Sequence, residues 1–178
     1  MAEIICAGFG GQGVLTTGMM LIDAGMEQGK NVLFYPSYGS EMRGGTANCS
    51  VKISDKRIAS PVCKHLDILF TLNAPAIDKF EDRVKPGGLL LVNSSIVPED
   101  RKYRDDIKVV KVPATEIAYE LENPRGVNIV MLGAMAASSD LFTADYLESA
   151  IDNFFAKKGK NNPKNALCFR KGVEAVNG

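Results

Sequence analysis

Short apolar runs that stop at glycine alternate along this chain with stretches of helical period. Glu3-Ile4-Ile5-Cys6-Ala7 breaks off at Gly8, the pattern of a strand buried on both faces. From Gln12 to about Gln28 the period becomes helical. Leu15, Met19, Ile22 and Met26 form one apolar stripe, which predicts the core-facing side of a helix. Gly18 and Gly25 make a second, small-residue face suited to close packing on a sheet. Gly29 predicts a C-cap and Asn31 to Tyr35 a second strand, so the chain opens as βαβ with a glycine loop at its first turn.

Pro36 to Thr46 is rich in glycine, serine and charge and reads as an exposed loop. Ala47 to Ser54 alternates as a half-buried strand does. The turn at Asp55-Lys56 and a short strand near Ile58 would complete an inserted antiparallel hairpin. Ile68 to Leu72, Gly88 to Val92 and Ile107 to Val112 read as further strands, with a helix at Pro75 to Val84. Val127 to Ser138 is small and apolar nearly all round, an interior helix. Thr143 is placed to cap the next helix, whose buried face is Leu147, Ile151, Phe154 and Phe155 and which ends at Lys157-Lys158-Gly159. Pro163 to Val176 predicts a last helix. With no linker or repeat, the expectation for residues 1–178 is a single α/β domain. It is a doubly wound, mostly parallel sheet with an inserted antiparallel hairpin and a helical C-terminal third.

Composition changes this picture by what it excludes. Lys plus Arg and Asp plus Glu are both 21, a formal net charge of zero. That argues against binding nucleic acid or an anionic membrane surface, which takes a surplus of positive charge. It leaves little self-repulsion, as suits life in a complex, and leaves open whether the isolated chain forms a homodimer. No segment has the apolar length of a membrane span, and the N-terminus shows no signal-peptide pattern, so a cytoplasmic location is expected. Cys6, Cys49, Cys63 and Cys168 are scattered without a C-x-x-C pair, which predicts reduced, buried thiols and places any iron–sulfur cluster on another polypeptide. His65 is the single histidine. No nucleophile–base set is legible, so no catalytic residue is expected here, and no metal site.

Two loops carry the candidate chemistry. Gly8, Gly10 and Gly13 fit G-x-G-x-x-G between a strand and a helix, where backbone N–H groups and the helix dipole favour an anion. Gly11 and Gln12 could line a larger anion or a polar interface. The alternative is that these glycines only permit tight helix–strand packing. Dinucleotide binding calls for an acid at the end of the second strand, where Leu33-Phe34-Tyr35-Pro36 offers none, so the motif reads as a phosphate site. The second loop, Ser37 to Thr46, offers Ser40 and the guanidinium of Arg43 beside Gly44-Gly45. Taken alone, it reads equally well as a solvated surface loop. Asn73, after a buried strand, reads as a helix cap that could also reach a ligand.

Together, Gly8-Phe9-Gly10-Gly11-Gln12-Gly13-Val14 and Tyr38-Gly39-Ser40-Glu41-Met42-Arg43-Gly44-Gly45-Thr46-Ala47-Asn48 closely resemble the gamma subunits of the 2-oxoacid:ferredoxin oxidoreductases. The second loop is most similar to the 2-oxoglutarate and branched-chain 2-oxoacid branch. The resemblance implies a holoenzyme that oxidatively decarboxylates a 2-oxoacid to an acyl-CoA and passes electrons to ferredoxin. It also implies thiamine diphosphate, magnesium and iron–sulfur clusters on partner alpha, beta or delta subunits, with coenzyme A and assembly as the business of this chain. The implied cofactor-binding residues are Gly8, Gly10, Gly11, Gln12, Gly13, Ser40, Arg43 and Asn73.

Overall fold

The structure, a computed structural model, describes residues 1–38 and 46–178. Six strands form one mixed sheet: β1 (Ala2–Phe9), β2 (Asn31–Tyr38), β3 (Thr46–Ser54), β4 (Leu66–Thr71), β5 (Val84–Asn93) and β6 (Lys108–Val112). Their spatial order is β2-β3-β1-β4-β5-β6. β1, β4, β5 and β6 run parallel, in a register that sets Ile4 beside Ile68, Leu69 beside Leu90 and Leu90 beside Val109. β3 is antiparallel to both of its neighbours, with Cys49 opposite Cys6 and Val51 opposite Phe34. An antiparallel pair is therefore present, but it joins β2 to β3 and not residues 47–54 to a strand near Ile58. The expected strand near Ile58 does not form as a partner of β3, because both edges of β3 are already taken by β1 and β2.

The helices are α1 (Val14–Glu27), α2 (Ala74–Phe80), α3 (Ala114–Glu120), α4 (Val127–Ser138), α5 (Ala144–Ala156) and α6 (Lys164–Asn177). On one face of the sheet Ile4, Cys6, Val51, Phe70 and Leu91 pack under α1 and the C-terminal helices. On the other, Ile5, Ala7, Leu69, Leu90 and Val92 pack against Ala76, Ile77 and Phe80 of α2. Strands covered on both faces must be apolar at successive positions, which is why Leu89 to Val92 reads as an unbroken run. The crossovers from β1 and β4 leave on opposite faces, so a crevice opens between these strands at their carboxyl ends.

Several local expectations hold. α4 spans the predicted residues and is buried almost throughout. Thr143 caps α5 by accepting from the N–H of Tyr146, and Asn73 caps α2 by accepting from that of Ala76. α4 and α6 meet backbone to backbone. A Cβ at Gly133 would lie 2.0 Å from the Phe169 carbonyl oxygen, and one at Gly172 1.9 Å from that of Val130. One ion pair is deeply buried: the ammonium of Lys52, 4% exposed, sits 3.2 Å from the Glu3 carboxylate.

The apolar stripe on α1 meets its expectation only in part, since Leu15 and Ile22 pack against the core and Met19 and Met26 do not. Val14, Thr17, Gly18, Leu21, Ala24 and Gly25 face inward, whereas Met19 and Met26 are 37% and 56% exposed and Leu15 and Ile22 half-buried. Space decides the matter. Cβ atoms at Gly18 and Gly25 would lie 2.7 Å from the Phe34 ring and 2.9 Å from Val32, so the helix lies closest to the sheet along its glycine face, flanked by the buried Met20 and Leu21.

Candidate functional site

β1 ends at Phe9, and the chain turns through Gly10–Gly13 into α1. Gly11 and Gly13 have φ of +92° and +77°, left-handed values that strain any residue with a Cβ. Gly13 is the N-cap, and no side chain caps α1. The N–H groups of Val14, Leu15 and Thr16 have no acceptor within the helix, and its first turn carries no acid.

The loop is held from three sides. Gln12 folds back, its Oε1 accepting from the Phe9 N–H at 2.6 Å and its Nε2 donating to the Leu72 carbonyl at 3.3 Å. Asn73, buried at the end of β4, donates to Gln12 Oε1 at 3.4 Å while capping α2. From α4, Asn128 donates through Nδ2 to the Gly13 carbonyl and to Thr17 Oγ1, both at 3.3 Å. A Cβ at Gly13 would lie 2.8 Å from that same amide nitrogen, and one at Gly8 2.7 Å from Gln12 Oε1. Gly8 and Gly13 are thus fixed by packing as well as by any ligand.

Beside the loop lies a cleft of about 680 Å³. Its walls are Gly11 to Gly13 with Thr16, the start of α4 with Asn128, and the stretch Lys160 to Asn162 ahead of α6. Thr115, Tyr119 and Phe155 close its other side. Arg125 and Lys160, both exposed, lend positive charge, and among the described residues neither forms an ion pair. Buried Asn123 bonds to Asn165 at 3.0 Å and braces this wall. An uncapped helix start, two cations and buried amides suit a phosphorylated ligand.

Residues 3–175 match the family described as pyruvate ferredoxin/flavodoxin oxidoreductase. The chain belongs to that family. It is 38% identical to 2-oxoglutarate synthase subunit KorC of Methanocaldococcus jannaschii, over 98% of this chain and 93% of that one. Against the ketoisovalerate oxidoreductase subunit VorA of Methanothermobacter thermautotrophicus it is also 38% identical, over 94% of this chain but 35% of the relative's length. Family members thus carry this fold either as most of a chain or as about a third of one. Among solved structures, the gamma subunit of a keto/oxoacid ferredoxin oxidoreductase from Geobacter sulfurreducens superposes with a TM-score of 0.76 at 27% identity, covering 99% of this chain and 98% of that one. The 2-oxoglutarate:ferredoxin oxidoreductase from Magnetococcus marinus gives a TM-score of 0.86 at 24% identity, covering 99% of this chain and 31% of that one.

Within this member of the pyruvate ferredoxin/flavodoxin oxidoreductase family, Gly8, Gly10, Gly11, Gln12, Gly13 and Asn73 gather at the carboxyl ends of β1 and β4. Ser40 and Arg43 lie outside the described residues. Gly11, Gln12 and Gly13 line the cleft, whereas the side chains of Gln12 and Asn73 are engaged in bracing the loop. Asn128, Arg125, Lys160 and Thr115 went unnoticed in the sequence. Asn128 had a readable signal, an amide in an otherwise apolar interior helix, since a buried amide needs partners. Arg125 and Lys160 had none, because surface cations look alike until the fold sets them around a cleft. The four cysteines are buried free thiols. Cys6 is pushed up by its hydrogen bond with Cys49 and then by burial, so it is inert as a nucleophile.

Proposed function

We propose that this chain works as the gamma subunit of a 2-oxoacid:ferredoxin oxidoreductase, assembled with alpha and beta (and delta) subunits, and that its cleft holds the phosphate end of coenzyme A. The observation that carries the reading is the uncapped start of α1 opening, together with the start of α4, onto a cleft beside Arg125 and Lys160. Coenzyme A would supply a thiol that takes up the acyl group. On this chain the N–H groups of Gly13 to Thr16 would receive a diphosphate oxygen, and the two cations would balance its charge. Arg43 and Ser40 are further candidates. Gln12, Asn73 and Asn128 would keep the loop in shape.

The carbon chemistry, thiamine diphosphate, magnesium and iron–sulfur clusters are assigned to the partner subunits, as is contact with ferredoxin. A 2-oxoglutarate substrate is favoured by the KorC relatives and by the Magnetococcus marinus structure, which holds 2-oxoglutarate, coenzyme A and succinyl-CoA. No helix among the described residues is long and apolar enough to cross a membrane.

A second reading has an observation of its own. Cβ atoms at Gly8 and Gly13 would collide with Gln12 and Asn128, so the glycines are needed for packing even if the subunit only assists assembly. Calorimetric titration of coenzyme A into the assembled complex, with NAD as control, separates the two. Saturable binding of coenzyme A, weakened by Arg125→Ala and absent for NAD, is the expected result. Binding unchanged by Arg125→Ala and Lys160→Ala together would remove the cleft from the site.

A further inference from the structure

The cleft beside the glycine loop, about 680 Å³, has room for a whole small molecule and not for a diphosphate alone. Part of its lining comes from the crossover between β5 and α3, as Ile96, Thr115 and Tyr119. Tyr119 is 64% exposed and Ile96 45%, two large side chains left open in a cleft otherwise lined by amides and cations. Thr115 and Tyr119 are one turn apart on α3 and share a face of it, while Ala114 and Ala118 take the buried face. This wall is held in place. Buried Asn93, at the end of β5, donates to Thr115 Oγ1 at 2.9 Å and accepts from the N–H groups of Ser95 and Thr115 at 3.3 and 3.4 Å. Ser95 Oγ accepts from the Glu116 N–H at 3.3 Å. The turn that carries Ile96 is thereby fastened to the first turn of α3. An exposed tyrosine on such a support offers contact area at low entropic cost.

We propose that Tyr119 is a stacking platform for the adenine ring of coenzyme A, with Ile96 beside it, so that the nucleotide end of the ligand lies on the α3 wall. The inference rests on the coenzyme A reading of the cleft and adds the direction in which the ligand lies. With a diphosphate oxygen at the start of α1, either the adenosine or the pantetheine arm could extend to this wall. Two features favour adenosine. A flat ring gains from a base laid on it, whereas it offers a flexible, saturated arm no matching face. Arg125 follows α3 through residues 121–124 and lines the same cleft. The adenosine end carries a further phosphate on its ribose for such a guanidinium, whereas the pantetheine arm is uncharged.

The test titrates the assembled complex with coenzyme A and, separately, with adenosine 3′,5′-bisphosphate, which keeps the adenine and lacks the pantetheine arm. Tyr119→Ala is expected to weaken both by about tenfold, and Tyr119→Phe, which keeps the flat face, to leave both within about twofold of the parent. Tyr119→Leu, similar in bulk but without a flat face, should lose as much as Tyr119→Ala. Because Tyr119 is exposed, the melting temperature should hold in all three. A loss for coenzyme A alone would put the pantetheine arm on the ring and overturn the proposal. Failure of the bisphosphate to bind, or full affinity in Tyr119→Leu, would also overturn it. Failure of coenzyme A to bind at all, or binding indifferent to Arg125→Ala and Lys160→Ala together, would overturn the cleft reading with it. Weakened binding in those two variants, with none in Tyr119→Ala, would overturn the stacking alone.

Discussion

The two edges of the sheet carry clefts of comparable size, about 500 Å³ at the amino ends of the strands and about 680 Å³ at the carboxyl ends, yet they treat charge differently. At the amino ends, cations have partners within the chain. Lys30 pairs with Asp55, Lys85 with Asp67, Lys52 with Glu3, and Lys108 donates to the Ser138 carbonyl. At the carboxyl ends, Arg125 and Lys160 stand by an uncapped helix with no carboxylate paired to them among the described residues. Charge satisfied internally serves the fold, whereas charge left facing a cleft can serve a ligand.

The strongest way to break the comparison is at the amino edge. Glu3→Gln leaves the Lys52 ammonium buried without its counter-charge, and Glu3 also accepts from the N–H groups of Lys64 and His65. Removing one partner of a buried pair costs roughly 3–5 kcal/mol, so urea unfolding should show a loss of that order. Coenzyme A affinity of the fraction that folds should not change. An affinity loss there would mean that the two edges are not separable.

At the carboxyl edge, Gly13→Ala introduces a Cβ at φ +77° against Asn128 and should cost about 1–3 kcal/mol. Unlike Glu3→Gln, it should abolish coenzyme A binding as well. Arg125→Ala and Lys160→Ala should each weaken that binding by about tenfold, or ~1.4 kcal/mol, and leave the melting temperature unchanged. Lys85→Ala, equal in charge but at the opposite edge, is the control and should leave the titration curve alone. A matching loss from Lys85→Ala would point to long-range charge in place of a defined site.

These contrasts show why the sequence disclosed one edge better than the other. Strands buried on both faces announce themselves as apolar runs, and caps such as Thr143 and Asn73 announce helix starts, so most of the sheet and the last three helices were legible, whereas α3 and the end of β2 at Pro36 to Tyr38 were not. The glycine loop was legible because positive φ demands glycine. What escaped was the arrangement across the sequence. β3 settling between β1 and β2 is a pairing choice that alternation in Ala47 to Ser54 cannot specify. The orientation of α1 was misjudged in part because a stripe of methionine and leucine normally means core, whereas Gly18 and Gly25 turn the glycine face onto the sheet and leave Met19 and Met26 outside. The Asn128 amide reaches Gly13 from more than a hundred positions away, and no local pattern encodes such a partner.

The smallest effect expected also lies at the amino edge, where it sharpens the contrast. Asp55 is fully exposed, and its carboxyl is held below the ordinary aspartate range by the hydrogen bond from Lys30 and then by that ammonium's charge. A carboxylate with a depressed folded pKa contributes its stability above the unfolded value, about 3.9. The contribution is lost as pH falls through the lower, folded value. Asp55→Asn should therefore lower stability slightly at neutral pH, and the variant and the parent should converge below pH ~4. The difference should also shrink as salt screens the pair, since both groups meet solvent. Melting curves across that pH range, at low and high salt, check both trends. A deficit that persisted in acid would mean that the Asp55 side chain supports the fold by something other than its charge.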